Sequence, residues 1–227
     1  MSRILEVCTG SLGSVMAAAE GGAERIELCS ALPLDGLTPS FGLLSEVRHL
    51  FPYLRIHVLI RPREGNFVYD DAELRIMERD IEAALPYADA IVSGALTEEN
   101  EVDLKATQRL IKASGNRSFT FHRAFDACRN PHESLERLIE LGCHRVLTSG
   151  QASTAEEGIG LLRQLVRQAN GRITILPGGS VNARNARMIL DETGTTEIHS
   201  SASAVTPDGI KMTSAREVAQ ILKSIQG

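Results

Sequence analysis

The sequence predicts a single-domain α/β protein, a (β/α)8 barrel of the TIM type that spans residues 1–227. Short apolar or β-branched runs alternate with segments of helical spacing, and this alternation favours a parallel sheet. The alternation repeats eight times, which is the strand number of a closed βα barrel. Eight units in 227 residues take about 28 residues each, a length that suits short connections.

In chain order, each predicted strand is a short apolar or β-branched run, and each predicted helix has apolar residues at helical spacing. The predicted strands are Ile4–Cys8, Arg25–Ser30, Arg55–Pro62, Ala90–Leu96, Ser118–Phe125, Arg145–Gly150, Ile173–Gly178 and Glu197–Ala202. The predicted helices are Ser11–Glu20, Pro39–Leu50, Asp71–Leu85, Asp103–Ala113, Pro131–Leu141, Thr154–Gln168, Asn182–Leu190 and Ser214–Ile225.

Two local patterns bear on how this sheet is arranged. Segment 22–30 resembles segment 142–150, because each runs from a glycine that can end a helix, through an arginine, into a strand. The two segments lie about half a chain apart, which suits a barrel of two four-unit halves. A Rossmann fold has three glycines in a Gly-x-Gly-x-x-Gly turn after its first strand. Segment 8–13 has only two of the three, so the barrel is favoured.

The composition excludes several classes of function. The net charge is −5, tryptophan is absent and aromatic residues make up 4%, so we expect no nucleic-acid partner. No apolar run approaches the roughly 18 residues of a membrane span, and the first residues lack the apolar core of a signal peptide. We therefore expect a cytoplasmic protein without a membrane partner. Four cysteines without a Cys-x-x-Cys pair are too few for a disulfide scaffold.

Alternation along the strands predicts which side chains point into the barrel. Because Leu5 and Val7 belong on the outer face beneath the helices, Glu6 and Cys8 belong inside. The same reasoning gives an unusually polar interior: Glu6, Cys8, Glu27, Cys29, His57, Leu59, Arg61, Thr120, His122, Glu197, His199 and Ser201. Buried charges must pair or line a wet cavity. The set therefore predicts either a functional site at the strand ends or an ion-pair network that only holds the barrel together.

Glu27, His122 and Asp126 are the candidate acid–base residues. A carboxylate and an imidazole in a partly dry pocket can be tuned to transfer protons near neutral pH. Asp126 follows His122 closely in segment 121–126, so it can orient that histidine or can serve only as a turn or cap residue.

Arginines at the ends of two predicted strands indicate an anion site. Arg123 can hold an anion with a bidentate fork. Arg61 can clamp a carboxylate or phosphate, or can pair with Glu27. The loops after the last strands of a βα barrel often bind phosphate through backbone N–H groups. The further candidate substrate-binding residues are Ser149, Gly178, Gly179, His199 and Ser201.

Two cysteines form a second candidate site. Cys8 and Cys29 would point inward at the ends of adjacent strands, which lie about 4.8 Å apart. Two thiolates at that distance can bind a soft ion such as Cu(I). The alternative is that both are small buried apolar residues, as free cysteines commonly are.

The motifs of the chain resemble those of the CutC family, whose members are labelled copper homeostasis proteins. The matching segments cover nearly the whole chain: 5–8 LEVC, 21–29 GGAERIELC, 36–40 GLTPS, 60–63 IRPR, 121–126 FHRAFD, 147–150 LTSG and 175–179 ILPGG. The chain departs from the family pattern at Ser180 and Ser200, where the family usually has glycine. The resemblance implies a (β/α)8-type barrel, a cytoplasmic protein and a homo-oligomer, often a dimer. It also implies Cu(I) binding through cysteines that match Cys8 and Cys29.

Three functions follow from these observations. The resemblance favours a protein of copper homeostasis that binds Cu(I) inside the barrel. The residues at the strand ends favour the alternative, an enzyme that acts on a small anionic or phosphorylated metabolite by acid–base chemistry. The third possibility is a barrel that serves mainly as an oligomeric scaffold.

Overall fold

Eight parallel strands form one sheet in the computed structural model, which describes residues 3–206 and 209–226. The first seven strands pair in chain order, and the last one pairs with the first, so the sheet curls into a barrel. The strands are β1 (Ile4–Thr9), β2 (Arg25–Leu28), β3 (Arg55–Leu59), β4 (Ala90–Ser93), β5 (Ser118–Phe121), β6 (Arg145–Thr148), β7 (Thr174–Pro177) and β8 (Glu197–Ser200). The predicted fold class is confirmed. The prediction of one domain over residues 1–227 extends beyond the described residues.

In the described residues, eight α-helices surround the sheet. They are α1 (Leu12–Glu20), α2 (Phe41–Leu50), α3 (Asp71–Ala84), α4 (Leu104–Ala113), α5 (Pro131–Glu140), α6 (Ile159–Ala169), α7 (Ala186–Thr193) and α8 (Ala215–Gln226). Polar side chains such as those of Ser11, Asp70 and Asp103 accept the backbone N–H of the third residue beyond them, and these caps fix where the helices begin. Within the described residues, no helix combines the length and the hydropathy needed to cross a membrane.

Several predicted boundaries are wrong. The fifth strand ends at Phe121 instead of Phe125, because the His122 side chain caps a 3₁₀ helix over Arg123–Ala127. Helix α6 begins at Ile159 instead of Thr154, since Thr154 and its hydrogen bond from the Glu157 N–H form a separate turn before it. Two short antiparallel strands that the sequence did not indicate, β9 (Ser203–Val205) and β10 (Lys211–Thr213), lie between β8 and α8.

The junction between β7 and β8 is held by side chains, and no backbone ladder joins these strands among the described residues. The Thr195 hydroxyl donates to the Ile175 carbonyl at 2.6 Å. The Ser200 hydroxyl donates to the Val181 carbonyl, also at 2.6 Å. These two bonds bring β8 against β7 and complete the ring.

Pro177 gives one reason for the missing ladder. The N–H groups of Thr174 and Gly178 donate to carbonyls at His144 and Thr148, so even-numbered amides of β7 face β6. Odd-numbered positions of that strand consequently face β8. Pro177 is at such a position and has no N–H to donate.

The apolar core lies between the outer face of the sheet and the helices. Residues such as Val7, Ile26 and Leu28 are fully buried there, as the alternation predicts. Inside the barrel, a separate apolar group consists of Cys8, Cys29, Leu59 and Val92. The interior also holds buried charged side chains, among them Glu6, Arg25 and Glu27.

Candidate functional site

A cavity of about 500 Å³ opens at the carboxyl ends of the barrel strands. In TIM-type barrels this end carries the chemistry. Side chains from most of the strands and their following loops line it: Cys8, Glu27, Leu32, Asp35, Leu59, Arg61, Phe67, His122, Arg123, Leu147, Gly179, Ser180, Val181, His199, Ser200 and Ser201.

Below the cavity, two arginines and two carboxylates form a buried ion-pair network. Arg25 Nε lies 2.9 Å from Glu6 Oε2, and its Nη2 lies 2.6 Å from Glu197 Oε2. Arg145 Nε lies 2.8 Å from the same Glu197 oxygen. Arg25 and Glu6 are each 1% exposed. Because the two formal positive charges match the two negative ones, this layer is neutral as a unit.

Glu6 connects this network to the cavity through two histidines. Its carboxylate lies 2.7 Å from His57 Nδ1 and 2.9 Å from His199 Nδ1. Burial alone would raise the pKa of Glu6, but the charges of His57 and Arg25 and the hydrogen bonds from both histidines hold it well below its usual range. Glu6 is therefore an anion that fixes the orientation of the His199 ring.

Cys8, Glu27 and His199 meet at the floor of the cavity. Cys8 Sγ lies 3.3 Å from Glu27 Oε2, and His199 Nε2 lies 3.9 Å from the same oxygen. Burial raises the pKa of Glu27, and the nearby charge of Glu6 adds to this effect. One ligand atom from each of the three residues lies within 4.8 Å of the others.

Cys29 lies behind Cys8. Their sulfur atoms are 3.9 Å apart, and Cys29 Sγ also donates to the Thr9 carbonyl at 3.4 Å. The hydrogen bond with Cys29, burial and the neighbouring Glu27 carboxylate together raise the pKa of Cys8 well above its usual range. Cys8 lines the cavity, whereas Cys29 is fully buried. The predicted thiol pair is thus present, with one thiol open to the cavity.

Arg61 lines another part of the cavity and has no carboxylate within salt-bridge distance among the described residues. Its guanidinium donates to the carbonyls of Leu34 at 2.8 Å, Gly36 at 3.1 Å and Gly65 at 3.0 Å. Its Nε has no hydrogen-bond partner in the part of the chain that the structure describes. The alternative pairing of Arg61 with Glu27 is not formed.

His122 is a neutral hydrogen-bond donor. Burial, and next to it the charge of Arg61, lower the pKa of His122 to about 3. Its Nδ1 accepts the Ala124 N–H at 3.3 Å, so the proton of the neutral ring is on Nε2. Nε2 is buried and has no hydrogen-bond partner among residues 3–206 and 209–226. The ring of Phe67 lies 4.9 Å from the His122 ring, and the Arg61 guanidinium lies over the Phe67 ring at 5.1 Å.

Asp126 organises the loop after β6. It accepts the N–H groups of Ser149 at 3.0 Å and Gln151 at 3.2 Å and pairs with Arg123 Nε at 2.8 Å. Asp126 is not among the cavity-lining residues and makes no hydrogen bond to His122 in the described structure, so of the two predicted roles it fills the local one. Arg123 Nη2 also donates to the Ser149 hydroxyl at 3.0 Å.

The loops after β7 and β8 complete the rim. A Cβ on Gly178 would lie 2.7 Å from Leu147 and 3.3 Å from His199, so this glycine allows close packing against two residues that line the cavity. Gly179 and Ser201 line the cavity. Ser180 has φ +56°, a left-handed conformation that favours glycine. The Ser200 hydroxyl is engaged with the Val181 carbonyl.

Sequence reasoning missed several contributors to this region, among them one arginine in a strand and two residues in loops. Arg25 is two residues before Glu27 in one strand, so alternation could have placed it inside the barrel. Phe67 and Asp35 are in loops, where no periodic pattern indicates which residues reach the cavity.

The part of the chain that matches a known family contains all eight barrel strands. A model of the CutC family matches residues 3–204. The chain belongs to the CutC family. A CutC protein from Bacteroides thetaiotaomicron is 52% identical over 198 residues, which cover 87% of this chain and 80% of the relative. A CutC protein from Aliivibrio fischeri is 42% identical over 222 residues, 93% of this chain and 90% of the relative.

Solved structures agree with this CutC assignment. The CutC protein of Streptococcus agalactiae, whose descriptive name associates it with copper homeostasis, superposes with a TM-score of 0.84 at 37% identity. The match covers 88% of this chain and 98% of that one. A phosphoribosylanthranilate isomerase from Thermotoga maritima superposes with a TM-score of 0.65 at 12% identity over the whole of both chains. That likeness concerns the fold alone.

Proposed function

We propose that this CutC-family barrel is an enzyme that binds a small anionic or phosphorylated metabolite at its mouth and acts on it by acid–base chemistry. One observation carries the proposal. The cavity contains a buried arginine without a carboxylate partner, beside a buried imidazole N–H without an acceptor, in the described structure. These residues are Arg61 and His122.

The energetics of burial favour an anion at this position. An arginine charge that is only 4% exposed loses most of its hydration, and three carbonyl contacts compensate it only in part. An anion next to Arg61 would supply the missing countercharge. The free Nε2–H of His122 can donate to the same ligand, and a cavity of about 500 Å³ has the size of a small-molecule site.

The proposed reacting groups face this anion from other strands. Glu27 and His199 reach the cavity from β2 and β8, which flank β1 on the side of the ring away from β5. We assign proton transfer to Glu27 and hydrogen bonding of the ligand to His122. Asp126 acts indirectly, by fixing Arg123 and the Ser149 loop.

Addition of the correct metabolite should raise the melting temperature of the wild-type protein, because ligand binding stabilises only the folded state. A ligand at 100 times its Kd adds about 2.7 kcal/mol. A thermal-shift screen with small carboxylates, phosphate esters and inorganic phosphate measures this directly. In Arg61→Ala the shift should disappear, and in His122→Asn it should shrink.

The matched control is Arg63→Ala. Arg63 is near Arg61 in the chain, but it pairs with Glu73 and does not line the cavity. We expect it to retain the full ligand response. If no metabolite in a broad panel shifts the wild-type protein, or if Arg63→Ala and Arg61→Ala lose the response equally, the anion site is wrong.

A second candidate function is Cu(I) binding at Cys8 and Cys29, with the copper as cargo. Its support is the sulfur–sulfur distance of 3.9 Å. Metal–thiolate bonds are about 2.3 Å for zinc, so two sulfurs on one ion of similar size lie at most about 4.6 Å apart. The pair therefore fits a soft ion. The descriptive name of the Streptococcus agalactiae relative points in the same direction.

The double variant Cys8→Ser, Cys29→Ser tests this function. If the thiols hold Cu(I), the variant should lose at least 100-fold in affinity in a competition titration against a Cu(I) chelator. Cys143→Ser is the control, because Cys143 is also a buried thiol but does not line the cavity. Equal Cu(I) affinities of wild-type and double-variant protein would exclude the thiol pair.

Two expectations stay predictions. The homodimer is checked by light scattering at several protein concentrations. The cytoplasmic location is checked by cell fractionation.

A further inference from the structure

We propose that Cys8, Glu27 and His199 form a three-ligand site for a divalent transition-metal ion such as Zn²⁺, with the fourth coordination position open to the cavity. This inference goes beyond the anion site and does not depend on it. It also differs from the thiol pair, because Cys29 is not a ligand.

The donor atoms have the right types and distances. Catalytic zinc sites combine three protein ligands from cysteine, histidine and carboxylate with one open position. The zinc bond lengths separate neighbouring tetrahedral ligands by about 3.3–3.7 Å. Here the carboxylate oxygen of Glu27 lies 3.3 Å from Cys8 Sγ and 3.9 Å from His199 Nε2, and all three atoms lie within 4.8 Å. Shifts of under about 1 Å would close the site around an ion.

The residue that orients the histidine ligand is already in place. Histidines that bind metals through one ring nitrogen almost always bond a carboxylate or carbonyl through the other. His199 Nδ1 lies 2.9 Å from Glu6, which leaves Nε2 directed at Glu27. Glu6 is itself held by Arg25 at 2.9 Å, so the ring orientation is fixed from below.

Charge favours a divalent ion. A thiolate from Cys8, the Glu27 carboxylate and a neutral His199 together carry a formal charge of −2. Beneath these ligands, the charges of Arg25 and Arg145 are matched by those of Glu6 and Glu197. A divalent ion would make the buried set neutral, whereas Cu(I) would leave one negative charge.

Access distinguishes this site from the thiol pair. Cys8, Glu27 and His199 all line the cavity, but Cys29 is fully buried and its thiol bonds the Thr9 carbonyl. An ion that enters from the mouth therefore meets the three ligands first. Its open position would face the anion site, where a metal can polarise a ligand oxygen or activate water. In that case Glu27 serves as a ligand in place of transferring protons.

Cobalt(II) titration of metal-free full-length protein, without any metabolite, tests the site. Cobalt(II) replaces zinc and reports thiolate ligation by a charge-transfer absorption and tetrahedral geometry by its visible bands. We expect one equivalent to bind with both signatures. Cys8→Ser should abolish the charge-transfer band, and His199→Gln and Glu27→Gln should weaken binding. Glu6→Gln, which keeps all three ligands but removes the carboxylate that orients the His199 ring, should lose 10–100-fold in affinity.

Cys29→Ser is the discriminating control. It removes the second thiol and leaves all three proposed ligands, so it should keep the cobalt spectrum of the wild-type protein. Circular dichroism of each variant establishes that it is folded. Absence of a thiolate band in wild-type protein with excess cobalt, or equal loss of the band in Cys29→Ser and Cys8→Ser, would overturn the proposal. Neither result affects the anion screen, which is run with metal-free protein.

Discussion

Replacement of Arg25 by methionine should lower the free energy of unfolding by about 3–5 kcal/mol, because it removes one partner of a buried ion-pair network. Arg25 is 1% exposed and contacts both Glu6 and Glu197. Methionine has a similar length, so the change leaves buried carboxylate charge without its counterion. In a domain of this size the melting temperature should fall by roughly 6–20 °C. Urea denaturation followed by circular dichroism measures the free energy.

Two variants calibrate this result. Arg172→Met removes a surface pair with Glu136 and should change stability little. Arg145→Met removes the pairing of a more exposed arginine with Glu197, so its loss of stability should lie between the losses in Arg25→Met and Arg172→Met. If Arg25→Met is as stable as Arg172→Met, the network does not support the barrel.

Acidification should lower the free energy of unfolding more in the wild-type protein than in the His122→Asn variant. The pKa of His122 is lowered to about 3 in the folded state from the ordinary value of 6.5, so between these values the unfolded state binds the extra proton. Stability is therefore full above pH 6.5 and is lost as the pH falls toward 3. At pH 5 the loss is about 2 kcal/mol, from 1.36 kcal/mol per unit of pKa difference.

The comparison of wild-type protein with His122→Asn isolates the protonation of His122. Asparagine can still accept the Ala124 N–H, so the 3₁₀ helix after β5 keeps its cap. The charged group that adds to the effect of burial on the pKa of His122 is Arg61. Urea denaturation at pH 7 and pH 5 gives the difference. Parallel losses in wild-type protein and His122→Asn would show that the imidazole is not held neutral by the fold.

Alternation in the sequence was sufficient to place Glu6, Glu27 and His199 inside the barrel, because helices cover the outer face of every strand and force that face to be apolar. It also applied to Arg25, which shares a face with Glu27. Arg25 was interpreted only as the start of a strand, after the glycine that ends the preceding helix, so its role in the network was missed. Alternation predicts on which side of the sheet a side chain lies, but it does not predict which other side chains it contacts.

Loop contacts were beyond sequence reasoning. The carbonyl partners of Arg61 come from residues 34, 36 and 65, and the path of those loops depends on packing that no local period expresses. The role of Asp126 depends in the same way on a loop from another strand. Strand β9 was missed for a simpler reason: all three of its residues are exposed, so it has no buried face to generate an alternating pattern.

The pairing of β8 with β1 has a consequence during synthesis of the chain. Strand β1 is made before the other barrel strands, but the register that joins Ile4 to Glu197 and Glu6 to His199 requires β8, which is made after all of them. Until then the nascent chain has a bare strand edge, which other chains can pair with, and Glu6 lacks one of its histidines. The sheet closes only after β8 has been made, so until that point the edge of β1 is open to pairing with other chains.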